Sequence, residues 1–511
     1  MSTAPQPLTD LLSHAGAQPL SGTYALLLLL SVALLFGLPR RAAARPPATN
    51  WLIILIFTIT TIAIGLVQAY WQLWGWRNPR FIRFYNRYNQ RVATNAPKIT
   101  RGPILDRKGR VIVYSPPGSV WTRKSAIGAA GVHPIGYFNR TYGLTGIERV
   151  LDESLSTIDA SQSLELLRKK TLTAPPTTLT LDINLQRFAY EQLKGLPGAI
   201  VALDPRTGSI LALVSSPGFE PNNPAKAIAD TAARPAFNRA IHGLYPPGST
   251  FKLFTAALAH EQHCTPLLNC PAEGYQVNRH TPPIRDSEYY SCKQKGTIWR
   301  GWGNLTLHNA LVHSSNVYFA QLGRRLNPQT FHTVATNLFV PHTLLNAPPY
   351  SLGSARPRIP DYTRLPNRLP YAAMGQDDIL LTPLDVALLT ATIANNGILA
   401  EPCLLPKPTP THRIFPSSAT DAVRDAMRDV PRRGTARSVP FHNIPLCAKT
   451  GTAQNGTDPR RPHAWFTCFA PVASPRLVLT ILVEHGGYGS TTAAPIASAI
   501  LQEAKRLHLL D

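Results

Sequence analysis

The chain has 511 residues and carries 51 Lys and Arg against 28 Asp and Glu, a formal net charge of +23. That length allows a large core and two or three folded units, and the charge calls for an anionic neighbour. The basic residues are scattered and no zinc-finger, helix-turn-helix or RNA-motif spacing occurs, so nucleic acid is set aside in favour of anionic lipid headgroups or an anionic polymer.

In chain order, residues 1–20 form a tail without Lys or Arg. An apolar segment follows at 21–39, then a link at 40–50 holding Arg40, Arg41 and Arg45, then a longer apolar segment at 51–73 flanked by Trp51 and Trp71. Both apolar segments read as transmembrane helices, the first being the shorter. A cleaved signal peptide is the rival for the first, but no basic region precedes it. The arginines make the link cytoplasmic, which places the tail and everything after the second segment outside. Arg77, Arg80, Arg83, Arg87 and Arg91 then read as contacts to outer-leaflet lipid phosphates. All six cysteines lie beyond residue 260. An oxidising compartment permits pairing, with Cys270–Cys292 expected first and small buried thiols as the alternative.

Beyond the membrane segments, 77–178 reads as a small β-rich pedestal, resembling a dimerisation region, and 179–511 as the main domain. A hairpin is expected over 100–115, turning at Asp106-Arg-Lys-Gly109, and a second over 199–215, turning at Asp204 to Gly208. Helical patterns cover 249–262, 306–313, 317–325, 383–395 and 419–429. Strands are expected at 445–453, 464–470 and 476–484, and a last helix from about 494 to 508. Helices inserted between antiparallel strands give an α+β class, one sheet with helices on its faces.

Three short motifs carry the chemistry. Ser249-Thr250-Phe251-Lys252 follows the stiff Tyr245-Pro-Pro-Gly248 turn at the start of a helix, where residues three apart share a face and Lys252 reaches the Ser249 hydroxyl. A serine is a poor nucleophile until a base takes its proton, and lysine is such a base only with a lowered pKa. Burial and a second cation lower it, and Lys449 is the candidate cation. Ser314-Ser315-Asn316 falls between two helical runs, presenting a hydroxyl for proton relay and an amide for a peptide substrate. Lys449-Thr450-Gly451 opens a strand. There Gly451 admits a substrate backbone to the strand edge, Lys449 with Thr450 and Thr452 forms a carboxylate-binding cluster, and the Thr452 N–H joins that of Ser249 as an oxyanion donor. By themselves the motifs mean serine acyl transfer, with hydrolase and transferase both open.

The surrounding sequence narrows this. RGPILDRKGR (101–110), YGLTGIERVLDESL (142–155), NRAIHGLYPPGSTFK (238–252), the long segment 373–397 and HAWFTCFAP (463–471) follow one another in a known order. Over about residues 77 to 505 the chain resembles the class B penicillin-binding proteins, peptidoglycan D,D-transpeptidases of the β-lactamase-like serine acyl-transferase superfamily. The resemblance implies a bacterial plasma-membrane enzyme with an extracytoplasmic catalytic domain, inhibited by β-lactam antibiotics and needing no cofactor or metal. Ser249 would attack the D-Ala-D-Ala carbonyl of a stem peptide derived from lipid II, and an amine of a neighbouring stem would resolve the acyl-enzyme. Lys252 would be the base, Ser314 and Asn316 would handle protons and substrate, and Thr450 and Thr452 would receive the terminal carboxylate. No lysozyme-like polymerase region is present, which points away from class A and toward a separate membrane glycosyltransferase of the SEDS family as partner. Elongation, division and sporulation stay open as roles.

A non-catalytic wall-complex scaffold and a β-lactamase-like hydrolase are the alternatives; a β-lactam sensor would need more than the short link at 40–50 as its effector. His260-Glu261-Gln262-His263 imitates a zinc-protease motif, but its histidines stand three apart rather than four and read as a solvated helix end.

Overall fold

The computed structural model describes residues 48–73, 98–116, 119, 122–157, 171–454 and 461–511. The tail 1–20, the apolar segment 21–39, most of the link 40–50 and the basic run 77–91 lie outside the described residues. The chain divides into two units, Met1–Lys98 and Ile99–Asp511. In the first, helix α1 spans Ala48–Leu73, and its apolar side chains Leu55, Ile59, Leu66 and Val67 are exposed. Among the described residues no helix is long and apolar enough to cross a membrane. A helix forms over 51–73 as expected, but its expected membrane crossing is not supported.

The second unit opens with the pedestal sheet. Strands β1 (Ile104–Leu105), β2 (Val111–Tyr114), β3 (Lys124–Ser125) and β4 (Thr177–Thr178) lie in the order β3-β2-β1-β4. The expected hairpin forms because Asp106 Oδ1 accepts the N–H groups of Lys108 and Arg110 at 2.9 and 2.8 Å, while Gly109 supplies a φ of +77°. Its arginine neighbour is structural. Arg101 is buried and pairs with Glu148 and Asp152, and buried Arg123 takes the other oxygen of Glu148. The segments 101–110 and 142–155 are thus bonded to each other. Residue 177 enters this sheet parallel to Ile104. Pedestal residues such as Ile104 and Ile112 share one core with Leu181, Val201 and Leu253 of the main domain.

The main sheet holds β5 (Gly198–Leu203), β6 (Ile210–Ser216), β7 (Cys447–Ala453), β8 (His463–Ala470) and β9 (Leu477–Val483) in the antiparallel order β6-β5-β9-β8-β7. Its strands are almost wholly buried, as their near-continuous apolar runs require. Helices α2 (Ile183–Gln192), α3 (Lys252–Glu261), α4 (Ser287–Gln294), α5 (Leu307–His313), α6 (Asn316–Gly323), α7 (Pro383–Ala394), α8 (Ser417–Arg433) and α9 (Ala494–Arg506) complete the α+β fold. Helices α2 and α9 pack on one face of the sheet through Leu185, Ala189, Ala497 and Leu501, and α3 and α7 belong to the core on the other. Hydroxyls cross that second contact in a chain, Thr390 to Thr467 to Thr480, each at 2.7 Å. Helix α7 starts at a reciprocal cap between Thr382 and Asp385. Helix α8 outruns its expected bounds at both ends and continues through Pro431 into its last turn.

All six cysteines are free, which corrects the expected Cys270–Cys292 bridge. Cys270 is sealed on the short strand Leu268–Cys270, whereas Cys292 sits half-buried on α4, a helix with no buried residue.

Candidate active site

The nucleophile turn is assembled by backbone contact. Gly248 adopts φ +53°, and its N–H donates to the Gly375 carbonyl at 2.9 Å. A Cβ on Gly248 would lie 2.7 Å from the Thr452 carbonyl oxygen, so only glycine fits. Ser249 then falls in a single 3-10 turn, Gly248–Thr250, and the α-helix begins at Lys252 rather than at Ser249. Ser249 and Lys252 stand three apart across the junction of turn and helix. Ser249 is half-buried, and its hydroxyl makes no hydrogen bond among the described residues; the expected bond to Lys252 is not formed, because the Lys252 Nζ is turned to Ser314 and Asn316.

Lys252 is fully buried. Its Nζ donates to the Ser314 carbonyl oxygen and to Asn316 Oδ1, both at 2.7 Å, with Ser314 Oγ farther at 3.4 Å. Burial lowers its amine from 10.5 to about 7, against the opposing charges of Asp286 and Glu288. A neutral amine has two hydrogens and one lone pair. Both hydrogens are taken by the two close acceptors, leaving the lone pair for a proton from the nucleophile.

Ser314 ends α5 in the left-handed region, φ 59° and ψ 35°, and Ser315 caps α6 by accepting the Tyr318 N–H. This turn aims both the Ser314 carbonyl and the Asn316 amide at Lys252. From the opposite side Lys449, also fully buried, donates to Ser314 Oγ at 2.7 Å and to the Thr450 carbonyl at 2.9 Å. Burial drives the Lys449 amine well below its ordinary value, and the Lys252 charge pushes the same way. For Lys252 itself burial is the lowering cause and the Lys449 charge has no resolved part, so the expected cation effect runs instead from Lys252 onto Lys449.

Strand β7 forms one edge of the main sheet, which leaves its outer side open to an added strand. Gly451 is required on its inner side as well. A Cβ there would lie 2.9 Å from Thr250 Cγ2 and 2.9 Å from Trp465 Cβ, so the strand is pressed against the nucleophile turn. Thr452 is half-buried, while the Thr450 hydroxyl lies 2.6 Å from that of Thr435.

The structure therefore brings Lys252, Ser314, Asn316, Lys449 and Thr450 into one connected cluster, with Ser249, Gly451 and Thr452 on the adjoining turn and strand. Two members were not read from the sequence. Thr435 follows the Gly434 stop of α8, and Asp286 caps the second motif from a distant loop. Neither carries a local pattern. The His260-Glu261-Gln262-His263 run ends α3, and no group of three or more metal-ligating side chains occurs among the described residues.

Residues 198–502 match the family model of the penicillin binding protein transpeptidase domain. The match covers more than half of the chain. This protein is a class B penicillin-binding protein. It is 30% identical over 413 residues to the peptidoglycan D,D-transpeptidase PbpA of Mycobacterium tuberculosis, covering 72% of this chain and 81% of that one. The solved penicillin G acyl-enzyme complex of M. tuberculosis penicillin-binding protein A superposes with a TM-score of 0.67 at 28% identity, over 80% of this chain and 100% of that one. Pseudomonas aeruginosa PBP2 in complex with WCK 5153 gives 0.66 at 28% identity, over 80% and 96%. This penicillin-binding protein thus shares both the α+β fold and the serine transpeptidase family of structures in which an acyl-enzyme is seen.

Proposed function

We propose that this serine D,D-transpeptidase uses Ser249 to attack the D-Ala-D-Ala carbonyl of a peptidoglycan stem peptide, forming an acyl-enzyme that an amine of a neighbouring stem resolves into a crosslink. Lys252 takes the Ser249 proton as the C–O bond forms. Ser314, held by Lys449, passes a proton to the departing D-Ala amine as the peptide C–N bond breaks. Asn316 holds the substrate amide. Thr450 and Thr452 receive the terminal carboxylate, and the N–H groups of Ser249 and Thr452 take the oxyanion. The single observation that carries this reading is the pair of 2.7 Å acceptors that orient the Lys252 amine in a fully buried site, with the Ser314 hydroxyl 3.4 Å away. β-Lactams acylate Ser249 in the same way.

The proposal includes a bacterial plasma-membrane anchor through 21–39 and 51–73, with the catalytic unit outside and lipid contacts at Arg77 to Arg91. The two apolar runs and the exposed apolar side chains of α1 support it. It also includes a SEDS-family glycosyltransferase partner. Loss of co-purification on deleting residues 1–45 supports that partner, and unchanged co-purification counts against it.

Labelling with a fluorescent penicillin tests the chemistry. The wild type is expected to give a long-lived covalent adduct and Ser249→Ala none. Fast adduct turnover would mean a hydrolase, and no labelling of the wild type a scaffold.

A further inference from the structure

The second motif does not hold its own shape. Its turn is gripped by Asp286, a carboxylate only 2% exposed, that stands 28 residues ahead of Ser314 and belongs to no motif. Asp286 Oδ1 accepts the N–H of Asn316 at 2.5 Å and that of Val317 at 3.1 Å, and the Ser315 hydroxyl reaches both carboxylate oxygens at 3.0 and 3.1 Å. The neighbouring Arg285 carbonyl accepts from Asn316 Nδ2 at 3.1 Å, which fixes the amide with Oδ1 toward Lys252. One short segment therefore satisfies the first N–H groups of α6, the Ser315 hydroxyl and the Asn316 side chain together. A carboxylate at a helix N-terminus is favourable twice over, through these hydrogen bonds and through the helix dipole.

We propose that Asp286 is a positioning residue of the acyl transfer: its carboxylate locks the Ser314–Asn316 turn and so fixes both acceptors that orient the Lys252 amine. The inference rests on the serine acyl-transfer reading above. It has a steric and an electrostatic part. Without the carboxylate the turn, already carrying a left-handed Ser314, loses the partners that hold it. Without its charge Lys252 also loses a field that favours its protonated form. The other groups around Lys252 are Glu288 on α4, whose charge acts in the same sense, Lys449 on β7, whose own amine the Lys252 charge pushes down, and the neutral Phe319 ring on α6. Cys270 lies behind Ser315 at 3.8 Å and is held protonated by burial. The Asp286 charge also raises the Glu288 carboxyl and the Cys270 thiol, so its removal favours the charged Glu288, which opposes part of the field lost at Lys252.

The test is the second-order rate of acylation of the full chain by a fluorescent penicillin, followed from roughly pH 5.5 to 9. In Asp286→Asn the amide oxygen still accepts N–H bonds but the charge is gone. The acid limb is expected to move to lower pH, raising the ratio of rates at pH 6 and pH 8 roughly threefold, while the plateau falls on the order of tenfold. A limb left in place overturns the inference, whatever happens to the plateau, since a merely structural residue would lower all rates alike. Should Asp286→Asn not fold, Ser315→Ala decides. It keeps the charge and removes the bridging hydroxyl, so the plateau is expected to fall about tenfold with the limb unmoved; an unchanged plateau overturns the inference. Failure of the underlying reading looks different: the wild type is then not labelled, or Ser249→Ala is.

Discussion

Lys449 Nζ lies 2.7 Å from Ser314 Oγ, so the lysine of the third motif holds the hydroxyl of the second. The same hydroxyl stands 3.4 Å from Lys252 Nζ. Ser314 is thus the bridge between two buried amines whose proton affinities are both depressed, and a proton arriving at either has a short path through one oxygen.

Removing that bridge from the strand side is expected to cripple acylation. Lys449→Ala leaves Ser314 Oγ without its close donor and should lower the acylation rate by on the order of 100-fold or more. The measurement is single-turnover labelling, with the melting temperature checked in parallel. Undiminished acylation in Lys449→Ala would remove Lys449 from the proposed machinery.

A buried amine leaves a mark on stability. Lys252 titrates at about 7 in the folded protein against 10.5 when unfolded. Between those values the unfolded chain binds more protons, so this lysine's contribution makes stability rise with pH from about 7 to about 10.5. Below pH 7 its full destabilising effect is present. Lys252→Met is therefore expected to abolish acylation and raise Tm at pH 7, with about 1 °C for each kcal/mol recovered, and to flatten the pH dependence of Tm. Thermal melts of both proteins across that range check it, and a Tm that falls in Lys252→Met contradicts it.

Gly451→Ala adds a Cβ between Thr250 Cγ2 and Trp465 Cβ, each 2.9 Å away. One of them must yield, and both are fully buried. The expected outcome is a fall in acylation of about tenfold with a smaller loss of Tm. Equal acylation with a lowered Tm would show that Trp465 yields instead.

A buried ion pair braces that turn from behind. Arg239 Nε donates to Glu484 Oε1 at 2.9 Å, the Tyr245 hydroxyl donates to the same oxygen at 2.6 Å, and the guanidinium also binds the Ala233 and Arg234 carbonyls. Arg239→Met leaves Glu484 without its charge partner and should cost about 3–5 kcal/mol, read by denaturant unfolding. Tyr245→Phe, which keeps the ring packed on Trp465, should cost much less.

What the sequence made legible follows from where its signals come from. Elements buried on every side declare themselves by continuous apolar runs, as β8, β9 and α7 do, and turns such as Asp106 to Gly109 by their residue chemistry. Helix α4 has no buried residue and therefore leaves no stripe. The three motifs were visible because each packs its chemistry into three or four consecutive positions. Asp286 and Thr435 act across the fold, through a carboxylate on another segment's backbone and a hydroxyl on another strand's threonine. Such partners exist only once the chain is closed. The Cys270–Cys292 pairing failed for the same reason, since composition says nothing of which thiols face one another.

The glycine pair at the nucleophile limits how this protein can change. A side chain on Gly375 would meet the Gly248 carbonyl oxygen at 1.8 Å, and one on Gly248 would meet that of Thr452. Neither position has a viable replacement, and the backbone they lock carries Ser249. A side chain at either glycine is therefore expected to displace the reactive turn. Altered drug sensitivity is expected instead at half-buried Thr435, whose hydroxyl lies beside that of Thr450, where a substitution can change the inhibitor's fit and leave the serine's geometry alone.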